Sequence, residues 1–172
     1  ELTGSTLGIV GFGAVGRALA KRAQAFDMRI LATDVYPNDK PDYVESLTGP
    51  EGLSALLADS DYVVVTVPLV EETVGLIGET ELAQMKPSAI LVGISRGSVI
   101  DEAALVDTLQ AGRLKAAALD VCETEPLPED SPLWDVENLL ITPHAAGGSQ
   151  HEVDHVREIF LENADRFLND DL

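Results

Sequence analysis

Positive charge is scarce in this chain. Its 172 residues hold 30 Asp and Glu but only 11 Lys and Arg, four of them lysines, for a net charge of −19. Such a surface repels nucleic acid and anionic lipid, which excludes both as partners. Cysteine is nearly absent too. Cys122 stands alone, so no internal disulfide can form, and a reducing, cytoplasmic compartment is expected, with Cys122 a small core residue. No apolar run approaches the roughly 18 residues a membrane span requires. The start, "ELTGSTLGIVGFG", has neither the basic head nor the long apolar stretch of a signal peptide. It opens on Glu1 and enters a strand almost at once, so a piece of a longer polypeptide is expected. Repeats, low-complexity tracts and flexible linkers are missing as well.

The acids are spread along the chain, not pooled in a tail, which argues against an acidic disordered segment. In dilute salt they strain a compact fold by self-repulsion. Molar salt shortens the screening length to about 3 Å and relieves that strain. The expectation is a halophilic protein with an acidic surface.

What is present is a set of apolar runs alternating with helical patterns. "TLGIVGFG", "MRILATD", "DYVVVTVP", "AILVGIS", "KAAALDV" and "NLLITP" read as buried strands. "AVGRALAKRAQAF" reads as a helix with Val15, Leu19, Ala23 and Phe26 along one face. "LSALLADS" is a short helix, "DEAALVDTLQAG" is a helix stopped by Gly112, and a long amphipathic helix begins near Ser149. Strands without polar alternation, separated by helices, predict a parallel sheet covered on both faces. The fold class is therefore α/β, a Rossmann-type doubly wound sheet in three layers, with residues 1–172 as one dinucleotide-binding domain.

"GIVGFGAVGRALA" places Gly11, Gly13 and Gly16 in G-x-G-x-x-G spacing between a strand and a helix. That context gives the motif its meaning: a tight turn, a close backbone approach for a pyrophosphate, and a helix packed near the sheet. The phosphates would meet the helix N-terminus. Asp34 closes the second strand, where a carboxylate binds ribose hydroxyls and repels a 2′-phosphate. The first base after it is Lys40, so NAD is favoured over NADP. Arg96 ends one strand run, Asp120 and Glu125 follow the next, and His144 follows the last. An Arg, a carboxylate and a His at neighbouring strand ends suggest an anion site with a general acid/base.

The glycine loop, "VPLVEET", "SRGSVIDE", "LDVCETEP", "SPLW" and "TPHAAGG" together resemble the NAD-dependent D-isomer-specific 2-hydroxyacid dehydrogenases over nearly the whole chain. The resemblance implies hydride transfer between nicotinamide and C2 of a 2-keto acid or 2-hydroxy acid. It makes His144 the acid/base, Glu125 its carboxylate partner and Arg96 the holder of the substrate carboxylate. Asp120 is implied to contact the nicotinamide carboxamide. Ala14, Val15, Val67, Pro68, Ile94, Ser95, Arg96, His144 and Gly147 match cofactor-lining positions, and Gly93 stands where the family often has Asn. The resemblance further implies a homodimer and a substrate domain not contained in these residues, reached by the helix from about 149. Little turnover is then expected from this chain alone. Trp134 in "SPLW" is expected to be a packing anchor.

Two other classes compete. A non-enzymatic NAD-sensing regulator can share this fold. A zinc hydrolase is suggested by "HEVDH", residues 151–155, which fits H-E-x-x-H. The second is rejected because a third ligand is missing: the extended motif needs Gly at 158 and His at 161, where Glu158 and Leu161 stand. His151, His155, Glu158 and Glu162 instead form the polar stripe of a helix whose opposite face, Val153, Val156, Phe160, Ala164 and Phe167, is expected to pack. No metal is expected.

Overall fold

The computed structural model describes residues 1–171. In chain order it contains β1 (Thr6–Val10), α1 (Ala14–Gln24), β2 (Arg29–Thr33), β3 (Ser46–Thr48), α2 (Leu53–Asp59), β4 (Tyr62–Val65), α3 (Glu79–Leu82), β5 (Ile90–Gly93), α4 (Glu102–Gln110), β6 (Ala116–Leu119), β7 (Leu139–Ile141) and α5 (Glu152–Leu168), with short 3-10 turns between. The strands form one parallel sheet in the order β3-β2-β1-β4-β5-β6-β7. β1 pairs with β2 from Thr6↔Arg29 to Val10↔Thr33, and with β4 from Leu7↔Tyr62 to Val10↔Val65. The order reverses between β1 and β4. Ligands bind open α/β sheets at such a switch point, outside the carboxyl ends of the strands. Gly11, Asp34, Thr66, Ile94, Asp120 and Thr142 all follow directly on strand ends and so lie along that one edge.

Apolar runs became strands because both of their faces find cover near the sheet centre. Ile9, Val63, Val65 and Leu91 are fully buried. On one face they meet Leu56 and Leu57 of α2, Leu82 of α3 and Leu105 of α4; on the other, α1 covers Ile9, Ile30 and Ala32. Each such side chain contributes about 1.5–3 kcal/mol when withdrawn from water. α4 begins where Asp101 accepts the Ala104 N–H at 2.9 Å and ends at Gly112, which has a φ of +65°.

The structure corrects four expectations. α1 does not bury Val15 and Phe26, which are more than half exposed; it buries Gly16, Ala20 and Ala23. Small residues let the helix axis approach the sheet, and Val15 is left facing the strand-end cleft. Cover on the α1 side is also incomplete. Ile90 and Val92 of β5, Ala116 and Ala118 of β6 are only half-buried, and Leu140 of β7 is exposed. The terminal helix α5 carries its apolar face into solvent, with Val153, Val156, Phe160 and Phe167 all exposed. Trp134 is 55% exposed and anchors only by donating Nε1–H to the Pro128 carbonyl at 2.8 Å. The strand β3 and the short helix α3 went unread in the sequence.

Candidate active site

The glycine loop is built by close backbone approach. Gly11 has a φ of +98°, and a Cβ there would lie 2.8 Å from the Val67 nitrogen. The Thr66 hydroxyl donates to the Gly11 carbonyl at 2.6 Å, tying the loop to the end of β4. A Cβ on Gly16 would overlap that same Gly11 carbonyl, so glycine at both positions brings helix and strand together. Gly13, by contrast, has no heavy atom within 4 Å of where its Cβ would be. It faces open space, and α1 starts behind it without a side-chain cap. The first N–H groups of the helix are thus left for an anion. Asp34 accepts the Phe12 N–H at 2.7 Å and the Tyr36 N–H at 2.9 Å, which fixes its carboxylate beside the loop.

Beside this loop, Val15, Thr66, Val67, Pro68, Leu69, Ile94, Ser95 and Arg96 line a cleft of about 590 Å³. Its apolar walls, next to an open helix N-terminus, fit the shape and chemistry of a dinucleotide's ring and phosphates. A second cavity, about 640 Å³, is lined by Asp120, Cys122, Glu125, Trp134, Thr142 and His144, among others.

His144 occupies the left-handed region with a φ of +52°. For a residue with a Cβ this conformation costs of order 1–3 kcal/mol and needs support from its surroundings. Asp120 supplies it. Its carboxylate is buried and accepts the Thr142 hydroxyl at 2.5 Å, the Ala145 N–H at 2.9 Å and the Ala146 N–H at 2.8 Å. Burial pushes the Asp120 carboxyl up, but the Thr142 hydroxyl, the two N–H groups and the His144 charge together hold it below the usual range. His144 Nδ1 lies 2.7 Å from Glu125 Oε2. The other oxygen of Glu125 accepts the Cys122 N–H at 2.9 Å. The His144 bond, then the Cys122 N–H, hold Glu125 below the usual carboxylate range, and the Arg96 charge acts in the same direction. Both carboxylates therefore support the fold fully above their ordinary values of 3.8 and 4.5, and lose that contribution only as pH falls through the lower folded values.

The sequence of the NAD-binding domain of the D-isomer specific 2-hydroxyacid dehydrogenases, taken as a family, matches residues 1–146. The chain belongs to this family. Its relatives include a glyoxylate reductase of Korarchaeum cryptofilum, 45% identical over 95% of this chain and 49% of the relative. Among solved structures, a D-isomer specific 2-hydroxyacid dehydrogenase family protein from Aeromonas salmonicida superposes with a TM-score of 0.91 at 35% identity, covering 100% of this chain and 55% of the other. A D-isomer specific 2-hydroxyacid dehydrogenase from Xanthobacter autotrophicus, in complex with NADPH and MES, gives 0.78 at 38% identity over 81% and 44%. The chain spans about half the length of the curated relatives it matches.

Within this NAD-binding domain the residues singled out in the sequence fall into three places. Gly11, Gly13, Ala14, Gly16 and Asp34 surround the loop; Val15, Val67, Pro68, Ile94, Ser95 and Arg96 line the first cleft; Asp120, Glu125 and His144 share the second. Gly147 lines neither. Four contributors escaped sequence reading. Thr66 and Thr142 look like ordinary strand-end threonines until their hydroxyls are seen to hold Gly11 and Asp120. Glu102 accepts the Glu123 N–H at 2.6 Å from the start of α4, and burial pushes its carboxyl up. Gly97 carries no recognisable turn signal, yet a Cβ on it would overlap the Cys122 backbone. Burial, then Glu102 and Glu125, push the Cys122 thiol up to about 11, so it stays protonated and inert at neutral pH.

His151, just before α5, and His155, on its exposed first turn, have ring centroids 6.1 Å apart with the rings tilted by 46°. Among the described residues no group of three or more His, Cys, Asp or Glu could hold a metal ion, and no helix is long and apolar enough to cross a membrane.

Proposed function

We propose that this NAD-binding domain serves a dehydrogenase that interconverts a 2-keto acid and a D-2-hydroxy acid. The observation that carries the reading is the His144–Glu125 pair at 2.7 Å, set at a strand end on the same sheet edge as the glycine loop. NAD(H), when bound, supplies the hydride exchanged with C2 of the substrate. His144 delivers a proton to the ketone oxygen as the hydride arrives, and takes it back in the reverse direction. Glu125 holds Nδ1 of the ring, leaving Nε2 for the substrate. Arg96 engages the substrate carboxylate with its forked guanidinium and orients C2. Asp120 fixes the turn that carries His144 and would offer its remaining acceptor site to the nicotinamide carboxamide. The loop of Gly11, Gly13 and Gly16 takes the pyrophosphate, Asp34 the ribose hydroxyls, and Ala14, Val15, Val67, Pro68, Ile94 and Ser95 the rings.

Asp34 favours NAD, because its carboxylate repels a 2′-phosphate. The substrate is a short 2-keto acid of the glyoxylate type. Residues 1–172 form the dinucleotide-binding part, and α5 leads toward a substrate domain. The exposed apolar face of α5 and the share of relatives' length that is matched both support this division. A panel of short 2-keto acids, assayed with NADH and with NADPH on the full-length polypeptide, tests the reading. NADH-dependent turnover is expected; turnover with neither nucleotide overturns it. Near-full activity from the 172-residue chain alone would refute the division.

We further infer a cytoplasmic homodimer adapted to salt, supported by the lone buried thiol and the −19 charge. Melting and sedimentation compared in dilute buffer and molar KCl test it. A dimer that melts higher in salt is expected; a monomer, or a melting point unmoved by salt, contradicts it.

A further inference from the structure

Sequence distance offered Lys40 as the first cation after Asp34. In the fold Lys40 is turned away, its ammonium donating to the Val44 carbonyl at 2.7 Å. The cation beside this segment comes from elsewhere: Arg17, one residue past Gly16 on α1. Its Nη1 donates to the Asp39 carbonyl and its Nη2 to the Asn38 carbonyl, each at 2.8 Å. The guanidinium carbon lies 4.7 Å from the centre of the Phe12 ring. Phe12 is the buried residue whose N–H holds one oxygen of Asp34, while the Tyr36 N–H holds the other. The Asn38 N–H closes the segment on the Tyr36 carbonyl at 2.7 Å.

These contacts make a ring that runs from Asp34 through residues 36–39 to Arg17 and back through Phe12. Two facts show what the ring does. The segment has little packing of its own, with Val35 and Tyr36 more than two-thirds exposed. The carbonyls that Arg17 takes belong to a turn in which Asp39 has a φ of +52°. Those two bonds tie this exposed turn to α1. A planar fork with two parallel donors reaches two successive carbonyls at once.

We propose that Arg17 is a positioning residue for cofactor selectivity, clamping the segment after β2 so that Asp34 meets the adenosine ribose. This rests on the NAD reading given above. Arg17 acts through Asp34, so its loss weakens binding of the nucleotide that Asp34 favours and narrows the preference between the two.

Fluorescence titration of the 172-residue chain with NADH and with NADPH measures this without any turnover. Arg17→Ala is expected to raise the Kd for NADH about tenfold and to leave that for NADPH nearly unchanged. Arg17→Lys should behave like Arg17→Ala, since one ammonium cannot bridge both carbonyls. Asp34→Ala alone should cost as much NADH affinity as Asp34→Ala combined with Arg17→Ala, because both act through one carboxylate. Equal weakening of both nucleotides, restored by lysine, overturns the proposal and makes Arg17 a simple charge near the phosphates. So does an Arg17→Ala Kd for NADH within about twofold of the starting protein, or additive losses in the double variant. Wild-type chain that binds neither nucleotide fells the cofactor reading itself, and the clamp with it. Circular dichroism of each variant separates these outcomes from unfolding.

Discussion

Replacing His144 with alanine in the full-length polypeptide should lower the kcat/KM of the proposed reaction by about 10²–10⁴-fold, the contribution of a well-placed general acid/base. The size follows from how much of the structure is devoted to this ring. The turn around it is held by three hydrogen bonds from Thr142, Ala145 and Ala146 to Asp120, and its Nδ1 meets Glu125. None of that machinery makes up for a missing imidazole. Glu125→Gln should also lower kcat/KM, because the amide offers one acceptor oxygen where the carboxylate offers two, so either the Cys122 N–H or His144 Nδ1 must face an NH2 group. A His144→Ala enzyme within about threefold of wild type removes His144 from the role.

Gly97→Ala is the second large effect. The residue follows Arg96, and its α-carbon lies against the backbone of Cys122 and Glu123, where an added Cβ would overlap main-chain atoms. Main chain cannot swing aside as a side chain can. Either the loop with Arg96 or the loop with Glu125 must move. Overpacking of this kind typically costs about 1–3 kcal/mol of stability. The functional loss should be larger, because displacing a catalytic constellation by about 1 Å can cost about 10²-fold. Expected together are a lowered Tm and a kcat/KM reduced by that order. A Gly97→Ala enzyme with wild-type kcat/KM shows that the two loops are not coupled through this contact.

Much of the fold was legible because a parallel sheet writes itself as apolar runs. "YVVV" and "ILVG" have nowhere polar to face, and each lies in the sheet interior. β3 was invisible for the opposite reason. Its three residues are half-buried at an edge and owe their conformation to β2, not to their own pattern. α1 shows how periodicity misleads. Large residues at helical spacing suggested the buried face, but close packing selected Gly16, Ala20 and Ala23. α5 shows another limit: an amphipathic pattern says that a face wants cover, not that this domain supplies it. At the site, distinctive chemistry singled out Arg96, Glu125 and His144 in the sequence, and the fold brings Glu125 to His144. Those that act through geometry were not. Asp120 was expected beside the nicotinamide, yet most of its lone pairs are given to the turn that carries His144. Lys40 and Arg17 exchanged their expected importance because linear distance from Asp34 says nothing about an arginine arriving from α1.

The strand order has a consequence for the time course of folding. β1 is made before either of its neighbours, β2 at Arg29 and β4 at Tyr62, yet it sits inside the sheet. All its pairings are parallel, so none can be closed by a short hairpin. One edge of β1 therefore stays unpaired until β4 has been synthesised, and loop closure of this length slows folding. During that interval the open edge of "TLGIV" is a site for wrong pairing, which the chain's net charge of −19 opposes through repulsion between copies.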